Sequence, residues 1–181
     1  MQFVFEEQKT AQAAAYLMSL RDGQMPYMKL IKLLYLADRQ SIVETGYPIT
    51  GDLLISMDRG PVLSNVLDFI HYGTSDAWKQ YISGPRDFDV HLIAAPDTTA
   101  LSEYEVDLLK EVDAKYGHFD QWQIVKYVHT LPEWEDPHGS SILIDVRVIL
   151  REAGKSDEEI RQVASQVEAI WAFKSMYATA G

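Results

Sequence analysis

The segment from Tyr27 to Glu44 constrains this chain most. It is bounded by Pro26 in front and by Gly46 and Pro48 behind, and between them the apolar residues recur at helical spacing on more than one side. Tyr27, Leu30, Ile31, Leu34 and Ala37 make one stripe, and Leu33, Leu36 and Val43 make another. A helix that is apolar on two flanks cannot lie on a surface, so the rest of the chain has to pack around it. Lys29, Lys32 and Arg39 share the face that remains. They read either as a small basic contact strip or as solvated side chains whose stems cover the core.

The neighbouring segments supply that packing. Gln8 to Arg21 reads as a helix carrying Ala13, Tyr16, Leu17 and Leu20, closed by Asp22-Gly23. Gly60 and Pro61 have the form of an N-cap and first helical position, opening a helix through Val62, Val66, Phe69 and Ile70 to Gly73. A shorter helical piece follows around Asp76 to Ile82. Ser102 with Glu105, and Ser156 with Glu159, are capping boxes for two later helices; Asp120 caps a third, which Pro132 ends. Ile142 to Ala153 reads as a helix, with strand as the alternative for its first residues. The terminal helix from Ser156 has Ile160, Val163, Val167, Ile170, Trp171 and Phe173 as its apolar side.

Two short runs depart from this pattern. Leu53 to Met57 lies between turn-forming residues, and Phe88 to Ala94 alternates apolar Phe88, Val90 and Leu92 with Asp89 and His91. Pairing them gives a small antiparallel β element, about residues 53–57 with 88–94, beside the helices. The expected fold is therefore mainly α: a single compact helical domain over residues 1–181 with a minor β element.

Composition removes several functions. The chain has no cysteine, which excludes disulfides, thiolate nucleophiles and cysteine-ligated metal sites. No run reaches the roughly 18 apolar residues of a membrane span, and the first residues lack a signal-peptide pattern, so a cytoplasmic protein is expected. Its formal net charge of −11 is concentrated between residues 61 and 120, which carry −7. Such a charge opposes nucleic-acid binding and favours a basic partner. The glycine signatures of dinucleotide and nucleoside-triphosphate sites are absent, as is Gly-x-Ser-x-Gly.

Two places could carry chemistry. The turns Thr50-Gly51-Asp52 and Arg59-Gly60-Pro61 flank one short strand, which puts Asp52 and Arg59 within reach of one rim. They read either as a local ion pair or, with the amides after Gly60, as a receptor for a partner's carboxylate. The stretch His129 to His138 gathers two histidines with Glu133, Glu135 and Asp136. Those are metal-ligand types, yet the spacing matches no helical His-x-x-x-His arrangement, and Pro132 and Pro137 turn the chain between them. A proline-anchored loop with Trp134 docked on the core is the plainer reading; a metal-dependent hydrolase using His129, Glu133 and His138 is the alternative.

The run Lys32-Leu33-Leu34-Tyr35-Leu36-Ala37-Asp38-Arg39, then Gly46, Pro48 to Asp52 and Gly60-Pro61-Val62, resembles the Panacea domain of SocA-like antitoxins, a family also seen in phage-associated proteins. Trp78, Leu101-Ser102-Glu103, Tyr116-Gly117, His129 to Trp134 and Gly139-Ser140-Ser141 extend the resemblance over about residues 28–150. It implies a toxin-neutralising protein, one half of a toxin–antitoxin pair, that binds its toxin directly. In the SocA branch, similar proteins also deliver the toxin to the ClpXP protease. The resemblance brings no catalytic residues, cofactor or metal. On this reading the protein is not an enzyme, and Thr50, Asp52, Arg59, His129, Glu133 and Trp134 are the expected partner contacts. Asp52→Arg and Trp134→Ala are then expected to weaken binding without unfolding the domain.

Overall fold

A computed structural model describes residues 1–178. Among them the chain is mainly helical: α1 (Glu7–Ser19), α2 (Tyr27–Thr45), α3 (Ser64–Tyr72), α4 (Asp76–Lys79), α5 (Glu103–Tyr116), α6 (Gln121–Val128), α7 (Val146–Glu152) and α8 (Asp157–Ala178). The strands are β1 (Gln24–Pro26), β2 (Leu54–Met57), β3 (Gly60–Leu63), β4 (Ile82–Arg86), β5 (Asp89–Leu92) and β6 (Ile142–Leu143).

As its two apolar flanks require, α2 is the central element, with every residue from Leu30 to Asp38 buried. It packs against α1, α5, α6, α7 and β3. Small residues, Ala11 and Ala13 to Ala15, all fully buried, let α1 lie among α2, α4 and α5. The capping boxes at Ser102/Glu105 and Asp120/Gln123 are formed, and Ser156 and Glu159 bond reciprocally at the start of α8. Ile160 and Val167 of α8 are buried, but Ile170, Trp171 and Phe173 are exposed, so only the first half of the expected apolar side meets the core.

The strand pairing departs from expectation. Leu53–Met57 and Phe88–Ala94 both contain strands, but in separate sheets ordered β3-β2-β6 and β1-β5-β4. β2 turns back through Asp58-Arg59 to pair with Gly60–Leu63, Met57 opposite Gly60 and Ser56 opposite Pro61. Closing a two-residue turn costs far less chain entropy than joining segments more than thirty residues apart. Gly60-Pro61 is therefore strand rather than a helix start. Pro61, which lacks an N–H, is tolerated because β3 is an edge strand, and α3 begins at Ser64. β5 instead pairs with β1 and β4, Val90 standing opposite Met25. Ile142-Leu143 is strand, and the helix after it begins only at Val146.

Candidate partner-binding site

One side of α2 carries Lys32, Tyr35, Asp38 and Arg39, spaced three, three and one apart. Between them they tie down three segments. Lys32 is fully buried, and its Nζ donates to the carbonyl of Pro61 in β3 at 2.6 Å. Tyr35 OH donates to Oε1 of Glu133 at 2.8 Å, and Arg39 Nε donates to the same oxygen at 2.6 Å. Asp38 accepts from the backbone N–H of Thr50 at 2.9 Å and from the Thr50 hydroxyl. Lys29, one turn earlier, donates to the carbonyl of Gly117 at 2.7 Å. The cations of α2 are thus neither a surface strip nor solvated side chains: each reaches a separate piece of backbone or a buried carboxylate.

A second buried acid orders the adjoining turn. Asp52 Oδ1 accepts from the N–H of Leu53 and from both the backbone and side-chain amides of Asn65; Oδ2 accepts from Val66 N. It is a helix cap supplied from thirteen residues upstream, because β3 occupies the positions where a local cap for α3 would stand. The first amides of α3 are consequently taken, and they offer no receptor for a partner's carboxylate. Nor do Asp52 and Arg59 pair: the Arg59 guanidinium lies 5.9 Å over the ring of Trp122.

The six residues expected to touch a partner divide by burial. Thr50, Asp52 and Glu133 are 0%, 2% and 5% exposed, each held by α2 or α3. Arg59 is exposed, and His129 and Trp134 are half-buried. The last two stack, ring centroids 4.2 Å apart at 23°, and Trp134 Nε1 donates to the carbonyl of Met57 at 3.0 Å. Arg59, His129 and Trp134 come together at the β2–β3 turn, where Trp122 at the start of α6 joins them, 58% exposed. Trp122 carries no periodicity signal of its own, lying in a first helical turn where burial is not required. The buried Lys32, Tyr35 and Asp38 were legible in principle, since a helix apolar on both flanks must bury most of its polar face too.

Burial sets the charge states. The Lys32 amine, desolvated, is brought down from 10.5 to about 7, and burial raises the Asp38 carboxyl from 3.8 to about 7 against the pull of the Thr50 hydrogen bonds. His129 is lowered by burial and by the nearby Lys32 charge, and its Nε2 is buried without a hydrogen-bond partner among the described residues. Between pH 4 and 7 the fold binds more protons at Asp38 than the unfolded chain does, so this residue makes stability fall as pH rises through that window. Between pH 7 and 10.5 the unfolded chain binds more protons at Lys32, so this residue makes stability climb. Asp38→Asn should therefore gain on the unsubstituted protein from pH 5 to pH 7, and the unsubstituted protein should gain on Lys32→Met from pH 7 to pH 9. Urea midpoints at the three values measure both; parallel curves would refute the assignment.

The metal-dependent alternative finds no geometry. Both oxygens of Glu133 face Arg39, and His138 projects into solvent beside Asp136. Among the described residues no three of His, Asp and Glu are grouped to hold a metal ion.

Fold and site together define a helical protein whose motif residues are chiefly a buried polar lattice, presenting an aromatic and cationic rim at one end. The family model described as Antitoxin SocA-like, Panacea domain, matches residues 30–135, and the chain belongs to that family. The match begins within α2 and ends just after Trp134, so it spans the whole lattice. No curated protein and no solved structure matches the chain. No described helix is long and apolar enough to cross a membrane.

Proposed function

We propose that this protein is the antitoxin of a toxin–antitoxin pair and neutralises its cognate toxin by direct binding in the cytoplasm. Membership of the SocA-like antitoxin family supplies the class. The observation that carries the binding mode is the rim itself. Arg59 over Trp122, beside the His129–Trp134 stack, collects the residue types that dominate interface energetics on a rigid turn and helix start. Glu133 serves this surface from beneath by fixing the loop that carries Trp134, while Thr50 and Asp52 hold the turn that leads into β2. The partner is a basic protein: the net charge of −11 accelerates encounter with a cationic surface, and the aromatic rim holds the complex.

Co-expression with the product of the adjacent gene tests the class, through rescue of growth and co-purification of a complex. Trp122→Ala and Trp134→Ala test the surface, each expected to weaken the complex by about 1–3 kcal/mol, or roughly five- to 150-fold, mainly through faster dissociation. Unchanged affinity in both variants would move the interface elsewhere. Delivery of the toxin to ClpXP is a further step that occlusion does not require. Toxin half-life that shortens with the antitoxin only when the protease is present would establish it.

A further inference from the structure

Between α2, α3 and the β2–β3 hairpin lies a half-open cavity of about 240 Å³, which the rim does not account for. Its walls are mostly apolar, Ile31, Met57, Val62 and Leu67 among them, and Tyr27 and His71 close one side with their rings edge to face, centroids 5.7 Å apart. Tyr72, 73% exposed, stands against His71 at 6.1 Å, so this side has an aromatic margin of its own. On the other side the cavity is continuous with the rim. Met57 lines it and accepts the Trp134 indole N–H on its carbonyl, and Arg59 lines it while its guanidinium covers the Trp122 ring. One face of the molecule thus carries aromatic residues at both ends and a recess between them.

The charged groups around the recess are unevenly committed. Lys32 is fully buried with its amine on the Pro61 carbonyl, and Arg59 lies over Trp122, so both cations are engaged within the chain. Asp58 is exposed; its Oδ1 accepts from the N–H of Gly139 at 2.9 Å, and it enters no ion pair among the described residues. Asp68, also exposed and outside any such pair, stands on α3 one residue after Leu67 and three before His71, both of which line the cavity. A group arriving from outside therefore meets apolar walls and an acidic border, complementary to a cationic protein surface. Volume sets the size of the guest: a cavity of about 150 Å³ holds benzene, so this one holds a single side chain of leucine, methionine or phenylalanine size. Interface hot spots are anchors of this kind, seated in pockets within the contact.

We propose that the protein partner bound at the rim continues across this recess, seating one large apolar side chain between Ile31, Val62 and Leu67 and placing a neighbouring lysine or arginine on Asp58. This rests on the toxin-binding reading and adds to it the chemistry of the contacting segment, an apolar anchor next to a cation. The anchor slows dissociation, since its withdrawal returns apolar surface on both partners to water; the cation speeds encounter and fixes orientation.

Binding kinetics of the full chain with its cognate toxin, the product of the adjacent gene, test this through two variants measured beside Trp134→Ala. Leu67→Trp fills the recess and should weaken the complex at least about tenfold, mainly through faster dissociation. Asp58→Asn keeps an acceptor for Gly139 but removes the charge, and should slow association about two- to fivefold and flatten its dependence on ionic strength. If Leu67→Trp does not fold, the unsubstituted chain with labelled methionine methyl groups decides. The Met28 methyl, whose residue lines the cavity, must then show nuclear Overhauser contacts to toxin side chains. Either substitution leaving the kinetics unchanged while Trp134→Ala weakens the complex would overturn this proposal and leave the rim in place, as would a Met28 methyl without contacts to the toxin. No complex with the toxin, or one indifferent to all three variants, would overturn both.

Discussion

Glu133→Ala is expected to lower the unfolding free energy by about 3 kcal/mol, one of the two largest losses from any single change in the lattice. The Glu133 side chain is fully buried, and its removal strands the Tyr35 hydroxyl, itself 0% exposed, and takes the counter-charge from Arg39. Breaking a buried pair by deleting one partner typically costs about 3–5 kcal/mol. The Arg39 side chain is 23% exposed and can recover some hydration, which places the loss at the lower end. In a protein of this size that corresponds to a fall in Tm of about 6–12 °C. Scanning calorimetry of Glu133→Ala beside Glu133→Gln measures it: the amide keeps an acceptor for Tyr35 and should restore part of the loss. A Glu133→Ala protein that melts with the unsubstituted chain would show that the contact contributes nothing.

The second large effect is at Asp52. Asp52→Ala leaves the N–H groups of Leu53, Asn65 and Val66 without their acceptor at a site only 2% exposed. Loss of a cap costs about 0.5–2 kcal/mol, and orphaned buried donors add to it, for a total of about 2–4 kcal/mol. Asp52→Arg is worse, since it places a guanidinium among those same donors. It therefore does not test partner contact without unfolding, as the sequence alone had suggested. Hydrogen exchange discriminates the mechanism: in Asp52→Ala the amides of Asn65 and Val66 should lose protection before those of α2. Uniform loss of protection across the chain would argue against a capping role. At both positions, affinity for the partner should recover once corrected for the folded fraction, whereas Trp122→Ala and Trp134→Ala should weaken binding in fully folded protein.

Much of the helical frame was legible because helices announce themselves locally. Ser102 with Glu105, Asp120 before Trp122 and Gly46 after Thr45 are start and stop signals whose partners lie within four residues, and all appear where their spacing puts them. The hairpin runs against local signals for the same reason in reverse. Gly60-Pro61 satisfies a local helix-start pattern, and only the pairing of Met57 with Gly60 overrides it. The candidate residues were found as a group, but their roles were not. Thr50, Asp52 and Glu133 read as surface groups because polar residues near turns usually are, and nothing in their own neighbourhood records that Asp38, Asn65 and Tyr35 lie against them.

The sequence by itself determined that α2 would be enclosed, since a helix apolar on two flanks has no stable exposed arrangement, and it determined where most of the helices around it begin and end. Tertiary structure alone decided which segment each polar residue of α2 would hold, which strands would pair, and that Arg59, Trp122, His129 and Trp134 would share one rim. Periodicity and caps are set by neighbours within one helical turn or two. Partners separated by twelve to ninety-eight residues, as Thr50 and Glu133 are from Asp38 and Tyr35, become neighbours only once the core has closed.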